Sequence, residues 1–574
     1  MAAGIKQIAG IAFVALALAV GCTPATDEQH DLIIRGGLIV DGSGAEGFIG
    51  DVVVDGDKIT AVTQGTSPAK AAREIDASGH VVSPGFINML SWAPHTLIVD
   101  GRGMSDVLQG VTLEVMGEGS SMGPLNDAMK KTKIDQQGDL RFPIEWTSLG
   151  EYFDYMEQKG ISPNIASFVG AETVRVHTLG EDDVAPSEAE LATMRGLVRQ
   201  AMEEGALGVG SSLIYAPGTF ASTEELTALV SEAAKCDGMY ISHMRSEGGG
   251  LLEAIDELIT ISRNSGAPAE IYHFKQAGQA HWDKIDDAIA RVEAARAEGL
   301  RITADMYTYT AGATGLDAAM PTWVQAGGFE KWRERLQDPE IRARVASEMK
   351  APGEGWENLY DAAGGAEGAL LMGFKNPDLK KYTGMTLAEV AAKRGTSPEE
   401  TAMDLVVEDG TRVSVAYFMM SEENVERAVA LPWMSFGSDA GAPAAEGVFL
   451  KSNTHPRAYG NFARVLGHYV REVGATTLES AVHRMTAFPA NNLGLKARGM
   501  LAPGYYGDIV IFNADTITDH ATFENSQQYA TGVRDVFING VQVVEGGSHT
   551  GATPGRALRG AGWAGWPGGG ACEG

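Results

Sequence analysis

Two short apolar runs, MYISH and EIYHF, lead to histidines, His243 and His273, where each run gives way to a loop containing glycine. The segment between them, LLEAIDELITISRNSG, has apolar residues at helical spacing and closes on glycine, so the unit predicts a strand, a crossover helix and a second strand. Strands joined this way run parallel, and in a parallel barrel ligands come from the C-terminal ends of different strands. Both imidazoles would then face one mouth. A single strand-end histidine is ordinary structural material, whereas two in matching positions point to a bound metal.

The same period extends over most of the chain. GFINML, VTLEVMG, PNIASFVGAE, ALGVGSSL, MYISH, EIYHF, RITADMY and WMSFGSD read as eight buried strands, most of them separated by amphipathic stretches such as SEAELATMRGLVRQAMEEG and WDKIDDAIARVEAARAEG. The predicted fold class is α/β, a (β/α)8 TIM-type barrel over residues 84–493. Far more chain lies between the seventh and eighth strands than one helix needs, so residues 311–431 are expected to form an inserted subdomain or lid. Within it GFEKWRERLQDPEIRARVASEMK reads as one amphipathic helix with a solvated face. Short β-rich runs occupy residues 31–83 and return at 494–550, and they are expected to combine in a small β-sandwich built from both chain ends. The tail, 551–574, has too much glycine for a packed element and is expected to be extended or mobile.

With 574 residues the chain has room for such a barrel and a smaller domain. Its formal net charge of −30 opposes contact with a phosphate backbone, so nucleic acid is not expected as a partner. The opening residues carry Lys6 and then an apolar run from Ile8 to Val20, too short to span a membrane comfortably and suited to an export signal over residues 1–21. That run ends in Ala-Val-Gly-Cys, which resembles a bacterial lipobox and would make Cys22 a lipidated first residue on a tether of residues 22–30. The expected location is the cell envelope or periplasm, with a lipid anchor in a bacterial membrane. An ordinary signal peptide cleaved nearby is the alternative. Cys236 and Cys572 lie far apart in different contexts and are each read as a free thiol.

VVSPGFINML, the paired histidines, FGSDAG, HPRAYGNFARVL and MLAPGYYGDIVIFNAD together resemble the amidohydrolase superfamily, and within it the N-acyl-D-amino-acid deacylases. The resemblance runs from about Asp31 to Arg559 and implies a distorted barrel with a β-sandwich from both ends. It implies that His243 and His273 bind metal and that Asp439 is the general base. Neutral imidazoles suit zinc, which lowers the pKa of bound water to ~7. It implies also that Arg457 clamps the substrate's α-carboxylate, that Tyr307, rather than Tyr309, contacts substrate, and that Lys275, which matches a family lysine, is a further substrate-binding residue. Second-layer ion pairing is the alternative for Lys275, Arg245 and Glu247.

The chain departs from the family at two places. Leu90 and Trp92 stand where His-x-His is usual, and Asn88 where aspartate is common; His95 lies out of register as a substitute ligand. After the second strand Glu118 and Gly119 replace Asn and Cys. A carboxylate binds zinc as well, so Glu118, His243 and His273 are expected to hold one zinc ion per chain, with a loop role as the alternative for Glu118. The expected activity is hydrolysis of the amide bond of N-acyl amino acids, D-configured by resemblance. A cyclic-amide hydrolase and a catalytically inactive surface binding lipoprotein are the alternatives.

Overall fold

The computed structural model describes Met1 and residues 29–572. The signal, the lipobox-like sequence and Cys22 lie outside the described residues.

The eight anticipated strands form at Phe86–Asn88, Val111–Met116, Asn164–Ser167 with Val169–Gly170, Gly208–Ser212, Met239–His243, Ala269–Ile271, Ile302–Met306 and Met434–Phe436. Each pairs in parallel with the next. The eighth returns to the first, because Met89 N donates to Phe436 O at 3.1 Å and Asp439 N donates to Leu90 O at 2.8 Å. The ring is therefore closed and leaves no strand edge to protect. Ile87, Leu113, Val115, Ala166, Phe168, Ile241 and Tyr272 make one buried cluster. Their strand neighbours, such as Val111, Met116 and Tyr240, belong to the larger cluster shared with the helices. Burial on both faces explains why these strands read as unbroken apolar runs.

The crossover helices begin and end where their sequences dictate. Glu188–Glu203 opens on a capping box in which Ser187 Oγ accepts from Glu190 N while the Glu190 carboxylate accepts from Ser187 N, and an alanine cap would cost about 1 kcal/mol. Leu251–Ser265 stops at Gly266, whose φ of 77° is left-handed backbone open to glycine.

Both chain ends contribute to one nine-stranded sheet. Val81–Pro84 lies between Gln29–Ile39, which it pairs in parallel, and Ile509–Phe512, which it pairs antiparallel. The two faces alternate as the pleat requires: Ile509, Ile511 and Phe537 join Leu32, Ile34 and Val52 in the sheet's own core, while Val510, Phe512 and Val536 pack with the barrel helices.

The insertion has a core of its own and a three-stranded sheet of Ala311–Gly315, Ser414–Phe418 and Ala369–Gly373. The single helix expected over residues 328–350 is two, Phe329–Arg335 and Pro339–Met349. Asp338 caps the second, and Pro339 occupies its first turn, where the missing N–H costs nothing.

The expectation about the cysteines is corrected, and of the two expected for the tail, extended or mobile, the described residues are extended. Cys236 and Cys572 are not free thiols but form a disulfide across 336 residues of sequence. The glycine-rich tail lacks helices yet is pinned: Leu558 N donates to Ile165 O at 2.7 Å, Gly560 N to Gly205 O at 2.9 Å, and Trp563 packs edge-on against Trp566. Its glycines allow that approach, since a Cβ at Gly560 would lie 2.3 Å from Ala206 O.

Candidate metal centre and active site

The residues singled out from the sequence meet at the C-terminal ends of the strands. Glu118 follows the second strand, His243 ends the fifth, His273 follows the sixth and Asp439 follows the eighth. Two are held in left-handed backbone uncommon outside glycine: His273 at φ 37° and Asp439 at φ 48°. Such strain persists only where surroundings enforce it. Here Asp305 Oδ1 accepts from His273 N at 2.8 Å, and Leu90 O holds Asp439 N.

Glu118, His243 and His273 are buried, and one donor atom from each lies within 4.8 Å of the others. Glu118 Oε1 is 2.9 Å from His243 Nδ1 and 3.2 Å from His273 Nε2. The outer ring nitrogens turn to Glu247, which is 2.9 Å from His273 Nδ1 and 3.7 Å from His243 Nε2. One carboxylate oxygen and two imidazole nitrogens converging in a buried space, with a second carboxylate behind the rings, fit a zinc-type ion.

The electrostatics agree with that fit. Burial opposes ionisation of Glu118, but hydrogen bonds from both histidines and their charges override it and hold the carboxyl well below its usual range. Burial and Lys275 oppose a proton on His273, yet Glu247 and Glu118 outweigh them and push the imidazole up to about 10. A proton thus does in the metal-free chain what a cation would do. His243 is shifted down, chiefly by burial.

The place where the family carries cysteine has no room for a side chain. A Cβ on Gly119, at φ 64°, would lie 2.6 Å from Ser212 Cβ and 2.7 Å from Glu172 Oε2. The donor therefore comes from Glu118. Leu90 is fully buried in the barrel cluster and Trp92 has no lone pair to give, so neither substitutes for His-x-His. The ring of His95 packs against Phe142 at 5.3 Å and is not one of the three clustered donors.

Arg457 and Lys275 are less free than the sequence implied. Arg457 Nη1 lies 2.9 Å from Asp439 Oδ2, its guanidinium covers the Tyr307 ring at 4.4 Å, and Nη2 donates to Ala313 O at 3.3 Å. Its buried Nε and Nη1 still lack a well-aligned acceptor among the described residues. Lys275, expected at the substrate, is buried and donates to Glu247 at 2.5 Å, which is the ion-pairing alternative, and its Nζ lies 2.7 Å from His273 Nδ1, whose own proton faces Glu247. Arg245 pairs with Glu257, away from the cluster. The Tyr307 hydroxyl meets only the Met420 sulfur, at 3.9 Å. Asp439 is pushed up by burial, an effect that Arg457 opposes.

Several buried carboxyls went unnoticed, Asp305 behind His273 among them, and two more lie around the cluster. Glu172, at the end of the third strand, accepts from Ser212 N at 2.7 Å, and burial pushes it up to about 8. Its signal was a glutamate closing PNIASFVGAE. Glu357 comes from the insertion and accepts from Ser246 Oγ at 2.6 Å, three residues beyond His243; no local pattern marks it.

A parallel barrel with three buried donors at its C-terminal rim, beside a carboxylate that can accept a proton, has the layout of a metal-dependent hydrolase. The amidohydrolase family model matches residues 73–544, and the chain belongs to that family. It is 32% identical to D-aminoacylase of Alcaligenes xylosoxydans xylosoxydans over 535 residues, covering 92% of this chain and 98% of that one. A crystal structure of D-aminoacylase superposes with a TM-score of 0.77 at 32% identity, covering 92% of this chain and all of the other. N-acyl-D-glutamate deacylase from Bordetella bronchiseptica, complexed with zinc and a phosphonate mimic of the tetrahedral intermediate, gives 0.74 at 28% identity, covering 93% of this chain and 100% of that one. L-Hydantoinase from Arthrobacter aurescens, covering 92% and 100%, shares the fold alone, at 15% identity and a TM-score of 0.53. A TIM barrel with an added β-domain is the architecture these relatives imply.

Proposed function

We propose that this chain hydrolyses the amide bond of N-acyl-D-amino acids, using one zinc ion held by Glu118, His243 and His273. The observation that carries the reading is the convergence of those three buried donors beside the Asp439–Arg457 pair. The relatives similar over nearly the whole chain act on N-acyl-D-amino acids, whereas the cyclic-amide hydrolase is similar in fold only. Neither a cyclic-amide activity nor an inactive binding role has an observation in its favour.

A divalent ion at the cluster supplies Lewis acidity toward an amide oxygen and makes water easier to deprotonate. Asp439, at the mouth, accepts the proton of the attacking water and returns it to the departing amine. Arg457, whose buried Nε lacks an acceptor among the described residues, offers its planar guanidinium to the α-carboxylate while Nη1 stays on Asp439. Tyr307, beneath that guanidinium, fixes its plane. Glu247 orients the His273 imidazole through Nδ1 and is itself held by Lys275. The insertion roofs the mouth as a lid and delivers Glu357 to the loop that follows His243.

Metal analysis of the purified protein, together with a screen of N-acetyl-D- and N-acetyl-L-amino acids, tests the reading. One zinc per active chain and turnover of D substrates are expected. Glu118→Ala, His243→Ala and His273→Ala should each lose metal and activity, and Asp439→Asn should keep zinc while turnover falls ~10²–10⁴-fold. Two tightly bound ions, or an active metal-free protein, would refute it.

We also propose export and lipid anchoring at Cys22, supported by the Ala-Val-Gly-Cys sequence and by the Cys236–Cys572 disulfide, a bond that persists in oxidising compartments. Mass spectrometry of the mature protein should find a diacylated Cys22 at its N-terminus; any other N-terminus refutes the anchor.

A further inference from the structure

At the position where the family places the second histidine of its pair, Trp92 touches the metal cluster. Its indole Nε1 donates to Glu118 Oε2 at 2.8 Å, while Glu118 Oε1 serves both imidazoles. The two oxygens of one carboxylate are thus divided, one facing the indole and one facing the cluster. Trp92 is 44% exposed, far more than a ring kept for packing, and the end of it that is engaged is the N–H. Its backbone is tied to the opposite side of the site: Trp92 N donates to Ala440 O at 2.9 Å, next to Asp439, and Ser91 bridges Ala440.

We propose that Trp92 is a positioning residue for the metal centre, whose N–H holds Glu118 Oε2 so that only Oε1 is presented to the cation. An indole has a donor and no lone pair, so it cannot replace histidine as a ligand, but it can orient one. A carboxylate whose second oxygen is free can turn or bind through both oxygens. A charge-assisted N–H···O⁻ bond removes that freedom. Because the same residue is bonded through its backbone to the Asp439 loop, ligand and base are also kept in register. The loss of His-x-His is on this view a conversion: a position that ligates becomes a position that aims the ligand supplied by Glu118.

The inference rests on the zinc reading, and the test separates the two. In the full-length chain, Trp92→Phe keeps a ring and removes the N–H. Zinc affinity is measured by competition with a chelating dye, and ligand geometry by the visible spectrum of the Co²⁺-loaded protein. Trp92→Phe is expected to weaken zinc binding ~10–100-fold and to alter the cobalt spectrum, with the melting temperature of the metal-free protein unchanged. Unchanged zinc affinity of Trp92→Phe, or an unchanged cobalt spectrum, overturns the inference and leaves the zinc reading standing. Failure of both Trp92→Phe and Trp92→Tyr to fold overturns it too, because the ring would then serve the fold. A wild-type chain that binds no zinc overturns both.

Discussion

Replacing Arg457 by methionine should do two separable things to catalysis. Asp439 acts as its ionised form, and burial already pushes its pKa up, with the Arg457 guanidinium at 2.9 Å as the leading opposing influence. At an effective dielectric of ~20, unit charges at that distance attract by roughly 5–6 kcal/mol. The Asp439 side chain keeps 12% of its surface in contact with solvent, and water would enter part of the space the arginine leaves. Taking about half the attraction as lost leaves the ionised form roughly 2–3 kcal/mol less favoured. The sign follows from the base role: a higher Asp439 pKa means the active form is lost at a higher pH as the solution is acidified. The acid limb of kcat/KM, which reports the free enzyme, should therefore move to higher pH in Arg457→Met.

The second effect is on the plateau. If the guanidinium receives the α-carboxylate, the transition-state stabilisation read from the plateau of kcat/KM should fall by about 1–3 kcal/mol for N-acyl amino acids, and amidated substrates should be equally poor for both forms. The assay is a pH profile of the zinc-loaded enzymes with an acid substrate and its amide. An acid limb that stays in place or moves down would refute the coupling of Arg457 to Asp439. Unchanged discrimination between acid and amide would refute the clamp.

Zinc binding at neutral pH should release a proton, because His273 at about 10 is protonated in the metal-free chain and must lose that proton to ligate; calorimetry in buffers of different ionisation enthalpy would show none if this is wrong. Glu172→Gln should stabilise the protein at alkaline pH. Its carboxyl is raised to about 8, so the folded chain binds the extra proton between about 4.5 and 8 and stability falls as pH rises through that window. The variant should match wild type below about pH 4.5 and exceed it by roughly 4–5 kcal/mol above pH 8 in urea unfolding, and a pH-independent difference would refute the assignment. Cys236→Ser should lower stability by about 2–5 kcal/mol by freeing the tail, and an unchanged melting temperature would show that the tail's backbone bonds suffice.

The parts of the molecule legible in the sequence are those set by local periodicity or by position along a strand. Each barrel strand announced itself because burial on both faces demands an unbroken apolar run, and His243 and His273 stood out by their places at strand ends, whereas Glu118 and Asp439 came from the family resemblance. What escaped depends on distances that no local pattern encodes. Cys236 and Cys572 meet only because the tail wraps back beneath the barrel, and the glycines that suggested looseness are what permit its backbone to approach Ala206 so closely. Pro339 did signal a boundary, but the amphipathic spacing on either side of it masked the break between two helices. Lys275 and Arg457 were read as substrate contacts, and the partners of their charged ends, Glu247 and Asp439, required side-chain geometry.

The departures from the family pattern also make sense only as a set. With no space for a Cβ at position 119, a thiolate cannot reach the cluster from there, so the oxygen donor has to come from residue 118 on a longer side chain. A longer carboxylate has a second oxygen and an extra rotatable bond, and both must be restrained for one oxygen to serve two imidazoles. The indole of Trp92 supplies that restraint at 2.8 Å from the position that a second histidine would otherwise occupy, and Leu90 fills the barrel where the first would stand. Glu118 in place of the thiolate and Trp92 in place of histidine are therefore coupled exchanges. Restoring histidines at 90 and 92 alone would remove Glu118's partner and bury a polar ring in the apolar barrel core before it rebuilt a second metal position.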